Sequence, residues 1–304
     1  MREPSIYFSD EFKKTIFPEY LSSVKNARTR TEYFRNVCIL CDYVKKDFLS
    51  LSEEDASSFV SYMTERYHSG TMSRKTINLR ISCYSSVSRF ISDTYEELGF
   101  TNPFRDIIRP EVDDSIPIAR IPSMEQMDLI MSASVNHSPF YLILALAGRS
   151  ALSATNIIRL TTNNLFEENG ALYVRYESKD HKKEDLVVRL PEDVAALMRR
   201  HIESMDHVDA KGHLFYNKHK HPMTLTNLDT GIRKIVKESG VDGDFTIKDI
   251  RSRAILDMRS AGAEPVDIAQ YTGLSNLRIH SFAKASAMLR ECPADLVNYR
   301  LKEA

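Results

Sequence analysis

Four clusters of side chains in this sequence have types and spacing that invite a chemical reading. Cys38-x-x-Cys41 has half the spacing of a zinc site. The remaining cysteines, Cys83 and Cys292, form no second pair. The pair also falls in an apolar helical pattern (Val37, Ile39, Leu40, Tyr43, Val44), so it reads as small core residues in a reducing compartment. Lys218-His219-Lys220-His221 alternates cations with possible ligands, but no acid or cysteine completes a coordination set, and a surface loop is expected. Neither cluster predicts a metal or other cofactor. The third cluster is Lys179, His181, Lys182 and Lys183, which fits phosphate contact or an exposed hairpin tip. The fourth is Arg28, Arg30, Arg35, Arg74, Lys75 and Arg80, gathered near the starts of two helical patterns. Helix starts favour phosphate through backbone N–H groups and the dipole; the competing reading is a solvated face.

Bulk composition does not choose between these readings. The chain has 304 residues, 41 Lys plus Arg against 42 Asp plus Glu, and a net charge of −1. Any basic surface is therefore local. The first 110 residues carry 16 basic and 15 acidic groups, so that region is not strongly basic either. A hydrophobic content of 42% supports a sizeable core, and the length favours two domains. The apolar run Phe140 to Gly148 ends at Arg149, too short for a membrane span. The N-terminus lacks a hydrophobic signal region, and a cytoplasmic location without membrane contact is expected.

The elements that position these residues follow from periodicity and caps. Helices are predicted over residues 12–24, 29–48, 56–67 and 76–95, with start signals at Ser52 and Ser73, and Asn102-Pro103 closes this four-helix unit. Pro110, Pro117, Pro122 and the acidic Glu111-Val-Asp-Asp114 mark a linker with no core of its own, residues 108–122. Ser123 caps a helix through Met131; further helices are predicted over 139–147 and 153–160. Residues 171–176 and 185–190 alternate and form a β-hairpin around the charged 177–184. Helices follow at 192–205, 226–239, 248–261, 265–271 and 286–300, with Gly262 as a helix stop. The fold class is mainly α with a small β-sheet: a helical domain at 1–107 and an α+β domain at 123–304.

The order of these segments resembles the tyrosine recombinase (phage integrase) family over about residues 12–285. Thr29-x-x-x-Tyr33, Ser73-x-x-Thr76-Ile-Asn78-x-x-Ile81-Ser82 and Asn102-Pro103 are similar to its helical, SAM-like core-binding domain. Ile121-Pro122, the hairpin, Leu214-Phe215, Asp249-Ile250-Arg251, Ala261-Gly262 and Gly273-Leu-Ser275 follow its catalytic-domain order. The resemblance implies duplex DNA as partner and strand exchange through a 3′-phosphotyrosine. That chemistry needs fixed cations and donors around a dianionic transition state, an in-line nucleophile and a general acid.

Carried over position by position, the family's Gly-Leu-Arg-x-x-Glu turn becomes Ala151-Leu152-Ser153-Ala154-Thr155-Asn156. Its first arginine position is thus Ser153, with Arg149 one turn earlier as a fallback. The hairpin lysine matches Lys179. The His-x-x-Arg element becomes Lys248-x-x-Arg251, where a structural ion pair is the competing reading for Arg251. The third donor position is Leu274, which cannot donate. The nucleophile position is Ala283, or Phe282 with a one-residue shift; neither carries a hydroxyl. Lys179, Lys248 and Arg251 can still grip a phosphate. The expected function is a DNA-binding protein of this fold without strand cleavage, in an architectural, regulatory or recombinase-accessory role. Two alternatives are an active recombinase with a displaced tyrosine (Tyr299 or Tyr271), and a protein-interaction module that no longer binds DNA. Family members pair through C-terminal segments, so residues 286–304 are expected to dock on another subunit or another recombinase.

Overall fold

Many of the described helices start where a short polar side chain accepts a backbone N–H. The computed structural model describes residues 3–113, 115–177 and 185–283. The chain divides into two units, Met1–Asp113 and Asp114–Ala304. In the first, a π-helical turn at Phe12–Ile16 leads into α1 (Phe17–Ser23). Helix α2 (Ala27–Val44) begins two residues before the expected Thr29. The reason is Asn26, whose side chain accepts from the amides of Arg28 and Thr29 at 2.9 and 3.3 Å. It stops at Lys45 in the left-handed region, and Phe48 lies in a separate 3₁₀ turn. A reciprocal Ser52–Asp55 box opens α3 (Glu53–His68), and Ser73 accepts from the Thr76 amide to open α4 (Arg74–Thr94).

The apolar stripes of these helices meet in one core. Val37 and Leu40 of α2, Phe59 and Met63 of α3, and Ile77, Ile81, Val87 and Ile91 of α4 are all buried with Phe12 and Phe48. A seven-residue helix such as α1 does not persist alone. It is held here by burial of Phe17 and Tyr20, at about 1.5–3 kcal/mol for each large apolar side chain. Cys38, Cys41 and Cys83 are buried and outside any disulfide; burial pushes the Cys83 thiol up to about 12 and Cys41 higher, which makes these two packing groups.

The second unit is built around α6 (Phe140–Gly148), which is apolar on all sides and buried from Leu142 to Ala147. It packs against α5 (Met124–Ser134), α8 (Glu192–Glu203) and α10 (Ile247–Ser260). Helices α7 (Ala154–Arg159), α9 (Leu225–Glu238), α11 (Pro265–Thr272) and α12 (Asn276–His280) complete the described helices. The sheet is antiparallel, in the order β1 (Leu165–Glu168), β2 (Ala171–Glu177), β3 (Asp185–Arg189). The expected hairpin is β2–β3, in register Val174 with Val188 and Tyr176 with Leu186. Strand β1 is additional: it joins β2 through Asn169-Gly170, both at positive φ as a tight hairpin turn requires.

The segment 108–122 is less independent than its composition suggests. Ile121 is buried with Ala254, Ile255, Leu256 and Phe282, and the Ile116 amide donates to Ser281 O at 2.9 Å. Glu111, Asp113 and Pro117 are exposed and Ile108 is too, but Pro122 is buried and Ile116, Ile118 and Ile121 find apolar partners. The helix expected over 286–300 lies outside the described residues. Among the described residues no helix is long and apolar enough to cross a membrane.

Candidate functional site

Three distant segments converge on Arg251. A Thr246–Asp249 box starts α10, with the Thr246 amide and hydroxyl donating to Asp249 Oδ2 at 2.9 and 2.6 Å. This start leaves Lys248 exposed and turns half-buried Arg251 inward, one turn further along. Arg251 Nε donates to the carbonyl of Ala151, and Nη2 donates to the carbonyl of Thr272 at 2.8 Å. Ala151 has φ 50°, in the left-handed region, and is buried. Thr272 ends α11, where Gly273 at φ 67° terminates the helix. A charged fork thus ties the turn before α7 to the turn after α11, and both acceptors are backbone.

The positions singled out from the sequence have ordinary structural duties there. Ser153 is the N-cap of α7, its hydroxyl accepting from the Asn156 amide at 3.2 Å. Leu274 packs against the apolar cluster of Ile121, Ile255 and Phe282. Phe282 is itself buried, and Ala283 is exposed with only a methyl group. Arg149 pairs through Nε with Asp193 Oδ2 at 3.1 Å, at the start of α8. Lys179, with His181, Lys182 and Lys183, lies outside the described residues, as do Cys292, Tyr299 and residues 286–304.

One side chain near this centre was not singled out from the sequence. Tyr176, buried at the end of β2, lies close enough to Arg251 to feel its charge. Its hydroxyl donates to Tyr271 O at 3.1 Å, and Tyr271 in turn donates to Arg189 O at 3.1 Å. Burial pushes the Tyr176 phenol up to about 12, against a smaller downward pull from Arg251. Burial also raises Tyr271, while Ser150 and Arg149 draw it down. Both phenols are protonated donors to carbonyls at neutral pH, a poor state for a nucleophile. The only trace of Tyr176 in the sequence is the alternation of 171–176.

The basic residues of the first unit divide into two kinds. Arg28 and Arg30 are exposed on the first turn of α2, with Arg35 exposed further along. Lys75 is exposed on α4 and Arg80 is half-buried. Arg74 is held: its guanidinium lies 4.7 Å from the Tyr67 ring centroid and Nη1 donates to Glu111 O at 3.3 Å. In the second unit, Lys218–His221 form an exposed turn in which Asn217 Oδ1 accepts from the amides of His219 and His221. Among the described residues there is no group of three His, Cys, Asp or Glu placed to hold a metal.

Just before that turn in the chain lies a compact polar knot. Asp209 accepts from the His213 amide at 3.0 Å, meets His213 Nδ1 at 2.7 Å and accepts from the Tyr216 hydroxyl at 3.3 Å. The His213 amide above all holds the Asp209 carboxyl down to about 2, from an ordinary 3.8. A depressed carboxyl contributes stability that is present above the unfolded value and is lost as pH falls through the folded one. The loop is therefore expected to loosen as pH drops from 3.8 toward 2. Amide exchange at His213, compared between wild type and Asp209→Asn, reads this directly: the variant should show the loosening at neutral pH and little further change in acid.

Comparison with known proteins gives a consistent result. Residues 123–282 match the sequence model of the phage integrase family. None of the curated proteins compared matches the sequence. Among solved structures, the Tn1549 transposon integrase (residues 82–397) in complex with circular intermediate DNA is similar with a TM-score of 0.63 at 18% identity, covering 91% of this chain and 98% of that one. The XerH site-specific recombinase bound to palindromic difH substrate has a TM-score of 0.68 at 11% identity, covering 93% and 88%. A lambda integrase tetramer bound to a Holliday junction has a TM-score of 0.64 at 12% identity, covering 87% and 78%.

Proposed function

This chain belongs to the phage integrase family, and from that premise we propose that it binds duplex DNA through the integrase fold without cutting it. The observation that carries the second half is at the nucleophile position. Phe282 is a buried ring and Ala283 an exposed methyl, so no oxygen stands there to attack phosphorus. The correspondence at the first arginine is supported by the turn at Ala151. A left-handed φ of 50° sits where the family pattern has glycine, which favours the gap-free correspondence that gives Ser153 in place of arginine. Arg251, the remaining arginine of the pattern, already donates to two carbonyls. Leu274 offers no donor to a phosphate oxygen.

Support for the first half is the fold itself and the DNA present in the structures of its relatives. The cations assigned to phosphate contact are Arg28, Arg30, Arg74, Lys75 and Arg80 in the first unit and Lys179, Lys248 and Arg251 in the second. A protein of this kind fits an architectural or recombinase-accessory role, with residues 286–304 available to dock on a second copy or on an active recombinase.

Incubation with supercoiled plasmid and with nicked suicide duplexes is expected to give no relaxation and no covalent protein–DNA adduct. Duplex binding should be measurable at low salt and weaken steeply as salt rises, as phosphate contacts require. An adduct would overturn the reading, and its loss in Tyr176→Phe, Tyr271→Phe or Tyr299→Phe would name the nucleophile; proximity to Arg251 puts Tyr176 on that panel. Absence of binding even at low salt would favour a protein-interaction module.

A further inference from the structure

The acidic end of the first unit is strapped along α4. Arg109 Nη1 donates to Ser82 Oγ at 2.9 Å, Asn78 Nδ2 donates to Pro110 O at 2.9 Å, and Arg74 Nη1 donates to Glu111 O at 3.3 Å. Arg74, Asn78 and Ser82 are four residues apart and so form one stripe on the helix. Residues 109, 110 and 111 meet that stripe in order, running toward the helix start. Phe104 is buried in the core and Ile107 packs against it, which fixes the root of the strap. At its end stand the exposed Glu111 and Asp113.

We infer that this strap is an autoinhibitory competitor: it covers the polar stripe Arg74–Asn78–Ser82, and a duplex must displace it to reach that face of α4. The inference rests on the reading that the chain binds duplex DNA. Carbonyl oxygens of Pro110 and Glu111 take the same N–H donors that a phosphate oxygen would take. A phosphate is the stronger acceptor because it is charged, so it can win the exchange. The carboxylates at the end of the strap repel an approaching phosphate while the strap is closed. The closed state is also imperfect, since Asn78 Oδ1 is buried without a hydrogen-bond partner among the described residues. An unsatisfied buried acceptor weakens the closed form and makes it displaceable. Meanwhile Tyr67 keeps the Arg74 guanidinium in place, so the face beneath stays organised.

Arg109→Ala in the full chain separates this from simple electrostatics, because the two predict opposite signs. The substitution removes a positive charge, and if Arg109 were a phosphate contact, binding would weaken. If Arg109 latches the strap, binding of a mixed-sequence duplex should tighten by about threefold to tenfold, as a larger fraction of molecules becomes competent. The pair Glu111→Gln, Asp113→Asn should tighten it too, and adding Arg74→Ala to Arg109→Ala should abolish the gain. Hydrogen exchange on the wild-type protein gives an independent readout: amides of residues 109–113 should exchange faster when duplex is added. Wild-type binding with equal or weaker binding by Arg109→Ala, or with unchanged or slower exchange at 109–113, overturns the strap alone. Failure of every variant to bind overturns the DNA-binding reading, and the strap as competitor falls with it.

Discussion

Arg251→Ala is expected to destabilise the second unit by about 3 kcal/mol, a larger effect than its effect on duplex binding. The guanidinium donates to Ala151 O and Thr272 O. Removing it abolishes two charge-assisted hydrogen bonds, each worth about 1.5–3 kcal/mol, and leaves carbonyl groups that water satisfies only in part. For a unit of this size the loss corresponds to a fall in melting temperature of roughly 6–12 °C. Arg251→Lys should recover little, because one ammonium on a flexible stem cannot reproduce a planar fork that reaches two carbonyls at once. The phenol of Tyr176 supplies a site-specific readout. Burial holds it up at about 12 against a smaller downward pull from Arg251, so loss of that pull in Arg251→Ala should keep the phenol protonated further into alkali. If Arg251 served phosphate alone, the variant would keep its melting temperature and lose affinity for DNA instead. The two roles are thus separable in one protein preparation by calorimetry and a binding titration.

This contrast also marks what the sequence could disclose about the site. Arg251 is legible in the sequence through the Asp249-Ile250-Arg251 element of the resemblance, which lies in the first turns of α10. Its partners are not: Ala151 and Thr272 are 100 and 21 residues away, and both act through backbone carbonyls that any residue type would provide. The same holds for Arg74, which reads as a free helix-start cation and is instead stacked on Tyr67 and bonded to Glu111 O. Helices with a serine cap were placed to within a few residues, at Ser52, Ser73, Ser123 and Ser153, because the cap is a local event with a local signature. Short elements escaped for the opposite reason. Strand β1 has four residues, too few to alternate recognisably, although Asn169-Gly170 behind it is a strong hairpin signal. Helix α12 has five and exists by virtue of Ser275 and the burial of Ile279.

Gly231→Ala is the substitution expected to reverse an ordinary rule. Gly231 lies in the second turn of α9, where alanine normally stabilises a helix by about 1 kcal/mol. Here a β-carbon would overlap the Phe140 ring at Cζ and Cε1. The ring belongs to the first turn of α6 and packs on the main core of the second unit. It can avoid the methyl only by swinging outward, which gives up its own contacts, or by pushing α9 away. Overpacking of this kind costs about 1–3 kcal/mol, and a direct overlap lies at the upper end of that range. The steric term therefore exceeds the propensity gain, and a net loss of about 1–2 kcal/mol is expected in denaturant unfolding. Phe140→Leu supplies the internal control. Alone it should cost stability through lost apolar contact; combined with Gly231→Ala it should cost less than the sum, because the leucine leaves space for the methyl. A coupling energy of at least about 0.5 kcal/mol in that cycle would establish the contact, whereas strict additivity would mean that α9 and α6 do not approach each other at this glycine.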